Sequence, residues 1–155
     1  MRIPASVDYA VRAMAELAAA GPGASMKAEA IADAQQIPVK FLRSIMTQLR
    51  RERIVVSQRG PDGGFVLARP ANEISVADIF RAIDGPLATV RDQSLSAMTY
   101  AGAARELPTV WMAVRAALRR VLETTTIDQV ANDRLTKTVR NLADEYRVST
   151  EQRHG

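Results

Sequence analysis

Six basic residues crowd one short stretch of the chain: Lys40, Arg43, Arg50, Arg51, Arg53 and Arg59 stand against a single acid, Glu52. That local excess of +5 exceeds the net +4 of all 155 residues, so the remainder is close to neutral. Guanidinium and ammonium groups gathered in this way suit the binding of a polyanion. An arginine can also take the O6 and N7 acceptors of guanine together, which reads sequence as well as charge. The plain alternative is a solvated surface face, which most charge runs are.

Other chemistries lack their residues. There is no cysteine, which removes disulfides, thiolate metal sites, thiol switches and cysteine nucleophiles at once. The single histidine, His154, lies one residue from the C-terminus in a polar tail, which argues against a catalytic or zinc-bound imidazole. No phosphate loop and no clustered carboxylates replace them. Neither an enzyme nor a metal site is expected. No window reaches about 18 apolar residues, so no membrane span is expected. Met1-Arg2-Ile3-Pro4 runs straight into an amphipathic helix without a signal-peptide pattern, and the expected location is cytoplasmic.

The basic stretch needs a frame, and the residues from Pro38 to Ala68 supply one. Leu42, Ile45, Met46 and Leu49 recur at helical spacing, which puts Lys40, Arg43, Ser44, Thr47 and Arg51 on the opposite face. Pro38 suits a first helical turn. Ile54-Val55-Val56 and Phe65-Val66-Leu67 are short β-prone runs around the turn formers Gly60-Pro61-Asp62-Gly63-Gly64, with Arg59 at the mouth of the turn. A helix with a basic outer face and a basic, glycine-tipped hairpin suggest a major-groove helix with a wing beside it.

The rest of the chain is read around that pair. Val7, Val11, Met14, Leu17 and Ala18 stripe a first helix from Ser6, its expected N-cap, to about Ala20, and Gly21-Pro22-Gly23 ends it. Asp8 suits the positive end of that helix. Ser25 is expected to open a second, short helix to about Gln35, with Ala28, Ile31 and Ala32 inward. Gln36-Ile37-Pro38 then links it tightly to the basic helix, a helix-turn-helix arrangement. Ser75 caps a fourth helix, Val76 to Asp84, with Asp78 at N3 of a capping-box-like start and Gly85-Pro86 as its stop.

Residues 87–106 have weak periodicity and read as a loop. A long helix starts at Leu107, with Val110, Trp111, Val114, Ala117, Leu118, Val121 and Leu122 as a wide apolar stripe. The β-branched run Thr124-Thr125-Thr126 ends it. Ile127 to Ala131 makes one short turn, and Leu135, Val139, Leu142 and Tyr146 space a last helix before a frayed polar tail, 148–155. The long stripe exceeds what its surroundings can cover. Val110, Trp111, Val114, Leu118, Val121 and Leu122 are therefore candidates for a two-fold homodimer seam, against packing on their own chain. The fold class is mainly α with a small β-hairpin: a winged helix-turn-helix domain, 1–86, then the loop, then a helical dimerisation region, 107–147.

Several motifs coincide with a family. Met1-Arg2-Ile3 with Asp8-Tyr9-Ala10-Val11-Arg12-Ala13, then Ile37-Pro38, Phe41-Leu42 and Leu49-Arg50, resemble the Rrf-two (BadM-type) bacterial winged-helix transcription regulators. Arg59-Gly60-Pro61-x-Gly63-Gly64-Phe65, Leu67-Ala68, Glu73-Ile74-Ser75-Val76, Ile79 and Ala82-Ile83-Asp84-Gly85 continue the resemblance. Leu107-x-x-x-Trp111 and Thr126-Ile127 extend it loosely.

What the resemblance implies is a homodimeric repressor on double-stranded DNA, reading an inverted repeat with its third helix in the major groove and its wing beside the minor groove. Pro38, Lys40, Arg43 and Ser44 hold the family's helix positions at DNA, and Ser57, Arg59 and Gly63 its wing positions, with Thr47, Arg51 and Gly60 beside them. Arg59 suits guanine or a narrow minor groove. Ser25, Ser57 and the first amides of helices two and three suit phosphates.

Many members hold an iron–sulphur cluster on three cysteines in the loop before the long helix. Here that loop has none, and Arg105 stands where the last ligand is expected, so no cofactor is expected. The resemblance implies that members without a cluster answer to a small molecule or a protein partner, or have no known signal. Tyr9, Met98, Tyr100, Trp111 and Met112, with Arg91 or Arg105 for an anion, are candidates to line an effector pocket; ordinary packing is the competing reading. The functional alternative to a repressor is a winged-helix module that binds a protein through the same basic face.

Overall fold

A computed structural model describes residues 2–87 and 94–151. The architecture is mostly helical with one antiparallel hairpin, in the order of a winged helix. Helix α1 (Ala5–Ala19) is central and packs against α2 (Ala28–Gln35), α3 (Val39–Arg51), α4 (Val76–Asp84) and the hairpin. Its stripe is buried at Val7, Ala10, Ala13, Met14 and Leu17, while Val11 and Ala18 are half-buried at its margin. The N-cap is Pro4 rather than Ser6. The Pro4 carbonyl accepts from the Val7 and Asp8 amides at 3.1 and 3.2 Å, and Ser6 lies inside the first turn.

Helix α2 begins at Ala28, later than the expected start at Ser25. The cause is a long-range pairing that local periodicity does not carry. The Met26 amide donates to the Phe65 carbonyl at 3.0 Å and the Phe65 amide to the Met26 carbonyl at 2.8 Å, so this segment is extended against the hairpin.

The turn between α2 and α3 is set by Gln36, whose φ of 53° is left-handed. The Ile37 amide then reaches back to the Ala32 carbonyl at 2.9 Å and the Gln36 amide to Asp33, a Schellman closure that buries Ile37. Arg12 of α1 secures the same corner. Its guanidinium donates to the Gln35 carbonyl and, at 3.0 Å, to the Gln35 side chain, which in turn donates to Glu16.

Pro38 is the N-cap of α3, one position outside the first turn. Leu42, Ile45, Met46 and Leu49 are all buried, as their spacing predicts. A second Schellman closure, with Arg53 left-handed at φ 57°, turns α3 directly into strand β1 (Val55–Gln58). Strand β2 (Gly64–Leu67) returns in register Val55↔Leu67 and Gln58↔Gly64. Ser75 accepts from the Asp78 amide at 3.1 Å and Asp78 from the Ser75 amide at 2.9 Å, the capping box that starts α4.

Beyond α4, Leu95–Ala97 and Gly102–Ala104 form single 3-10 turns before α5 (Leu107–Leu122). Two threonines of the following run bond back to its last carbonyls, Thr124 to Arg120 at 2.6 Å and Thr125 to Val121 at 2.7 Å. Thr126 then caps α6 (Ile127–Ala131) in a reciprocal box with Gln129.

The core takes in residues beyond the boundary expected at 86. Ile127 is fully buried in the main core with Met14, Leu42 and Ile74, and α6 packs on α1. Bonds from Val76 to the Thr125 carbonyl and from Ile127 to the Ile74 carbonyl, both 2.9 Å, tie the segment in. The chain leaves the winged-helix body at α5 and returns to it. Helix α7 (Lys137–Glu151) stands apart, with Tyr146 72% exposed, and stays helical through 148–151 where a frayed tail is expected. The end of that tail, with His154, lies outside the described residues.

Candidate nucleic-acid interface

The outer face of α3 carries what the sequence places there. Lys40, Arg43, Ser44 and Arg51 are exposed; Thr47 is half-buried and spends its hydroxyl on the Arg43 carbonyl at 2.9 Å. The wing presents Ser57, Arg59 and Gly60 to solvent on the same side of the chain as α3, which follows from the immediate α3–β1 turn. Arg50 links the two parts through its guanidinium to the Ser57 hydroxyl at 3.2 Å. A groove of about 470 Å³ runs between the start of α2 (Lys27, Glu29), α3 (Arg43, Thr47) and the wing (Gln58, Gly60).

Two of the expected contact residues have their reasons inside the protein. Gly63 is buried, and a Cβ there would sit 2.3 Å from the Gln58 carbonyl oxygen, so it is a glycine for the sake of the hairpin tip. Its amide closes the tip on the Gly60 carbonyl at 2.9 Å. The Ser25 hydroxyl is buried and has no hydrogen-bond partner, which removes it from a solvent-facing phosphate contact. Pro38 is exposed at the start of α3 and, lacking an N–H, has no amide to offer a phosphate.

Glu29 is a residue the sequence reading missed. Its carboxylate pairs with the Arg43 guanidinium across α2 and α3, with both side chains more than half exposed. The hydrogen bond from Arg43 holds the Glu29 carboxyl below its ordinary range. No local pattern reveals this pair, because its members are 14 residues apart. Phe41 is the second, 61% exposed on α3 one residue before the buried stripe begins.

The candidates for an effector pocket lie in different surroundings. Tyr9 packs against the main core with the Arg12 guanidinium 5.5 Å from its ring centre. Met98 and Tyr100 are half-buried, whereas Arg105, Trp111 and Met112 are exposed. Arg91 lies outside the described residues. The dimer-seam candidates divide as well. Val110 and Val114 are 50% and 45% exposed and Trp111 sits at its own margin of exposure, but Leu118, Val121 and Leu122 are half-buried. Leu122 packs against the small cluster of Val7, Ala77, Phe80 and Leu87.

A helix-turn-helix whose second helix turns a basic face outward, followed at once by a glycine-tipped basic wing, defines a winged-helix DNA-binding regulator. The profile of the Rrf2 family, described as an iron-dependent transcriptional regulator, matches residues 3–133. Rv1287 of Mycobacterium tuberculosis (strain H37Rv), which carries the name of an HTH-type transcriptional regulator, is 50% identical over 155 residues, covering 100% of this chain and 96% of that protein. The HTH-type transcriptional regulator IscR of Pectobacterium atrosepticum is 30% identical over 97% of this chain and 89% of its own. Among solved structures, that of CymR, the global cysteine regulator of B. subtilis, superposes with a TM-score of 0.66 at 28% identity, covering 85% of this chain and 97% of that one. The chain belongs to the Rrf2 family of transcriptional regulators, and it is not an enzyme.

Proposed function

We propose that the chain is a cytoplasmic, homodimeric repressor that reads an inverted repeat through α3 and the wing. The observation that carries this reading is the pairing of the exposed Lys40, Arg43, Ser44 and Arg51 face with the exposed Arg59 of the wing. The free stripe of α5 at Val110 and Val114 supports a two-fold seam, which two recognition helices on one DNA face require. A dimer seated across a promoter represses by exclusion.

The family description names iron, and the donor set does not fit a cluster. Fe–S clusters are held by thiolates, and this chain has no cysteine. Among the described residues no three His, Asp or Glu side chains converge for a metal ion. The signal in this reading is a small molecule or a protein partner.

The test is duplex binding over a salt series. A reader of phosphates and bases loses affinity steeply as counterions are released. Arg59→Ala should weaken operator binding by about 1–3 kcal/mol and leave the dimer intact. An unchanged affinity would refute the wing assignment. The exposed Phe41 favours one competing reading, a module that docks a protein on the same face; that reading predicts weak, salt-insensitive DNA binding.

A further inference from the structure

Among the described residues, one buried guanidinium nitrogen is left without a hydrogen-bond partner. The Nε of Arg115, on α5, is buried and makes no hydrogen bond. A guanidinium N–H removed from water without an acceptor is costly, and such a group in a folded chain calls for an explanation. Arg115 borders a cavity of about 290 Å³ whose other walls, among the described residues, are Arg81, Gly85, Pro86 and Leu87, where the end of α4 meets α5.

Two nearby carboxylates are committed elsewhere, and a third, Asp84 at the end of α4, is exposed and, among the described residues, unpaired. Glu123 accepts from Arg119 at 2.9 Å and from Arg81, and Asp78 accepts from Arg69 at 3.1 Å with Arg81 at 4.0 Å. Arg115 forms no ion pair with any of them. Among the described residues of this joint, the arginines Arg69, Arg81, Arg115 and Arg119 stand against the acids Asp78, Asp84 and Glu123, and Arg81 and Arg115 line the cavity.

We propose that this cavity is a binding site for a small oxyanion, a phosphate or carboxylate group, gripped by Arg115, with Arg81, whose terminal nitrogens already face Glu123 and Asp78, adding positive charge at the rim. The planar guanidinium fork matches such groups in a bidentate contact. The volume is at the lower end of ligand pockets, which fits a single small anionic group. Binding there spans two elements with different tasks. Helix α4 packs on α3 within the core, and α5 carries the free stripe. An anion held between them would bias the angle of the reading helix relative to α5, to the extent that it favours one arrangement. The binding claim stands independently of the repressor reading; only its regulatory consequence rests on it.

The experiment titrates the full chain with inorganic phosphate and, separately, with malonate, at constant ionic strength in chloride, followed by calorimetry and amide chemical shifts. The expected result is one saturable site per chain, weakened about tenfold or more in Arg115→Gln and less in Arg115→Lys, which keeps charge but not the fork. Arg120→Gln, an exposed arginine on the same helix, serves as the control and should bind as the parent does. Which titrant saturates at lower concentration identifies the anionic group. Without ligand, Arg115→Gln should melt no lower than the parent, since it removes an uncompensated buried donor. Absence of saturation with either titrant, unchanged binding in Arg115→Gln, or equal weakening in Arg120→Gln overturns the proposal. If Arg115→Gln does not fold, the comparison of Arg115→Lys with Arg120→Gln decides.

Discussion

Replacing Val114 by glutamate tests the seam on α5 without touching the winged-helix body. Val114 is 45% exposed, whereas Leu118 is half-buried and Leu122 packs against its own chain. Fully burying a valine contributes about 1.5–3 kcal/mol, so covering the exposed half contributes about 1 kcal/mol per protomer. A two-fold seam counts it twice, about 2 kcal/mol, which is roughly 30-fold in the dimer dissociation constant. Glutamate adds two like charges to the same seam and raises that figure. Sedimentation equilibrium over a concentration series reads the constant, and circular dichroism checks that the helices persist. Dissociation should increase at least thirtyfold with unchanged helix content and thermal transition of the monomer. A dimer as tight as the parent's would refute the placement of the seam on this stripe. Loss of helix would mean that Val114 supports its own chain.

Other perturbations address the frame of the reading head. Gly64→Ala would place a Cβ 2.4 Å from the Met26 carbonyl oxygen, so the hairpin must part from the 26–65 bridge; a loss of about 1–3 kcal/mol in denaturant melts is expected. An unaffected melt would mean that the bridge is dispensable. Arg12→Ala removes the donor that satisfies the last carbonyl of α2 and should cost about 1–2 kcal/mol, while Arg12→Lys recovers only part of it. Equal stability of all three would show that the corner stands on Gln36 and Ile37 alone. Glu29 and Glu123 are both held below the ordinary carboxylate value of 4.5, Glu29 by Arg43 and Glu123 chiefly by Arg119. Depressed folded values stabilise the chain above that pH and are lost as pH falls through them. Thermal midpoints should stay level from neutral pH down to about 5 and then decline, more gently in a Glu29→Gln, Glu123→Gln chain. An identical acid slope in that chain would remove these two pairs from the account.

Much of the frame is legible because it is local. The Leu42-Ile45-Met46-Leu49 stripe, the hairpin and its turn, and the Ser75–Asp78 box each declare themselves within a dozen residues. What escapes is contact between distant segments. Nothing around Ser25 announces that Met26 will spend its amide and carbonyl on Phe65, and so the start of α2 is misplaced. The threonine run reads as a helix stop, while its second role, a Thr126–Gln129 box that inserts Ile127 in the core, depends on α1 being there to receive it. The site divides in the same way. Periodicity puts Lys40, Arg43, Ser44 and Arg51 outside correctly, but it cannot show that Arg43 is engaged by Glu29 or that the Ser25 hydroxyl is inward. The α5 stripe is wider than one seam because it serves two surfaces, Leu122 inward and Val110 with Val114 outward.

Sequence-specific recognition by α3 and the wing underlies the proposed function. Its most direct test is selection of fragments of the source genome by the purified chain at near-physiological salt, with sequencing of what is retained. The expected result is enrichment of one inverted repeat, lost when Lys40, Arg43 and Arg59 are replaced together by alanine. Diffuse, salt-labile retention with no shared sequence, unchanged in that variant, would contradict it.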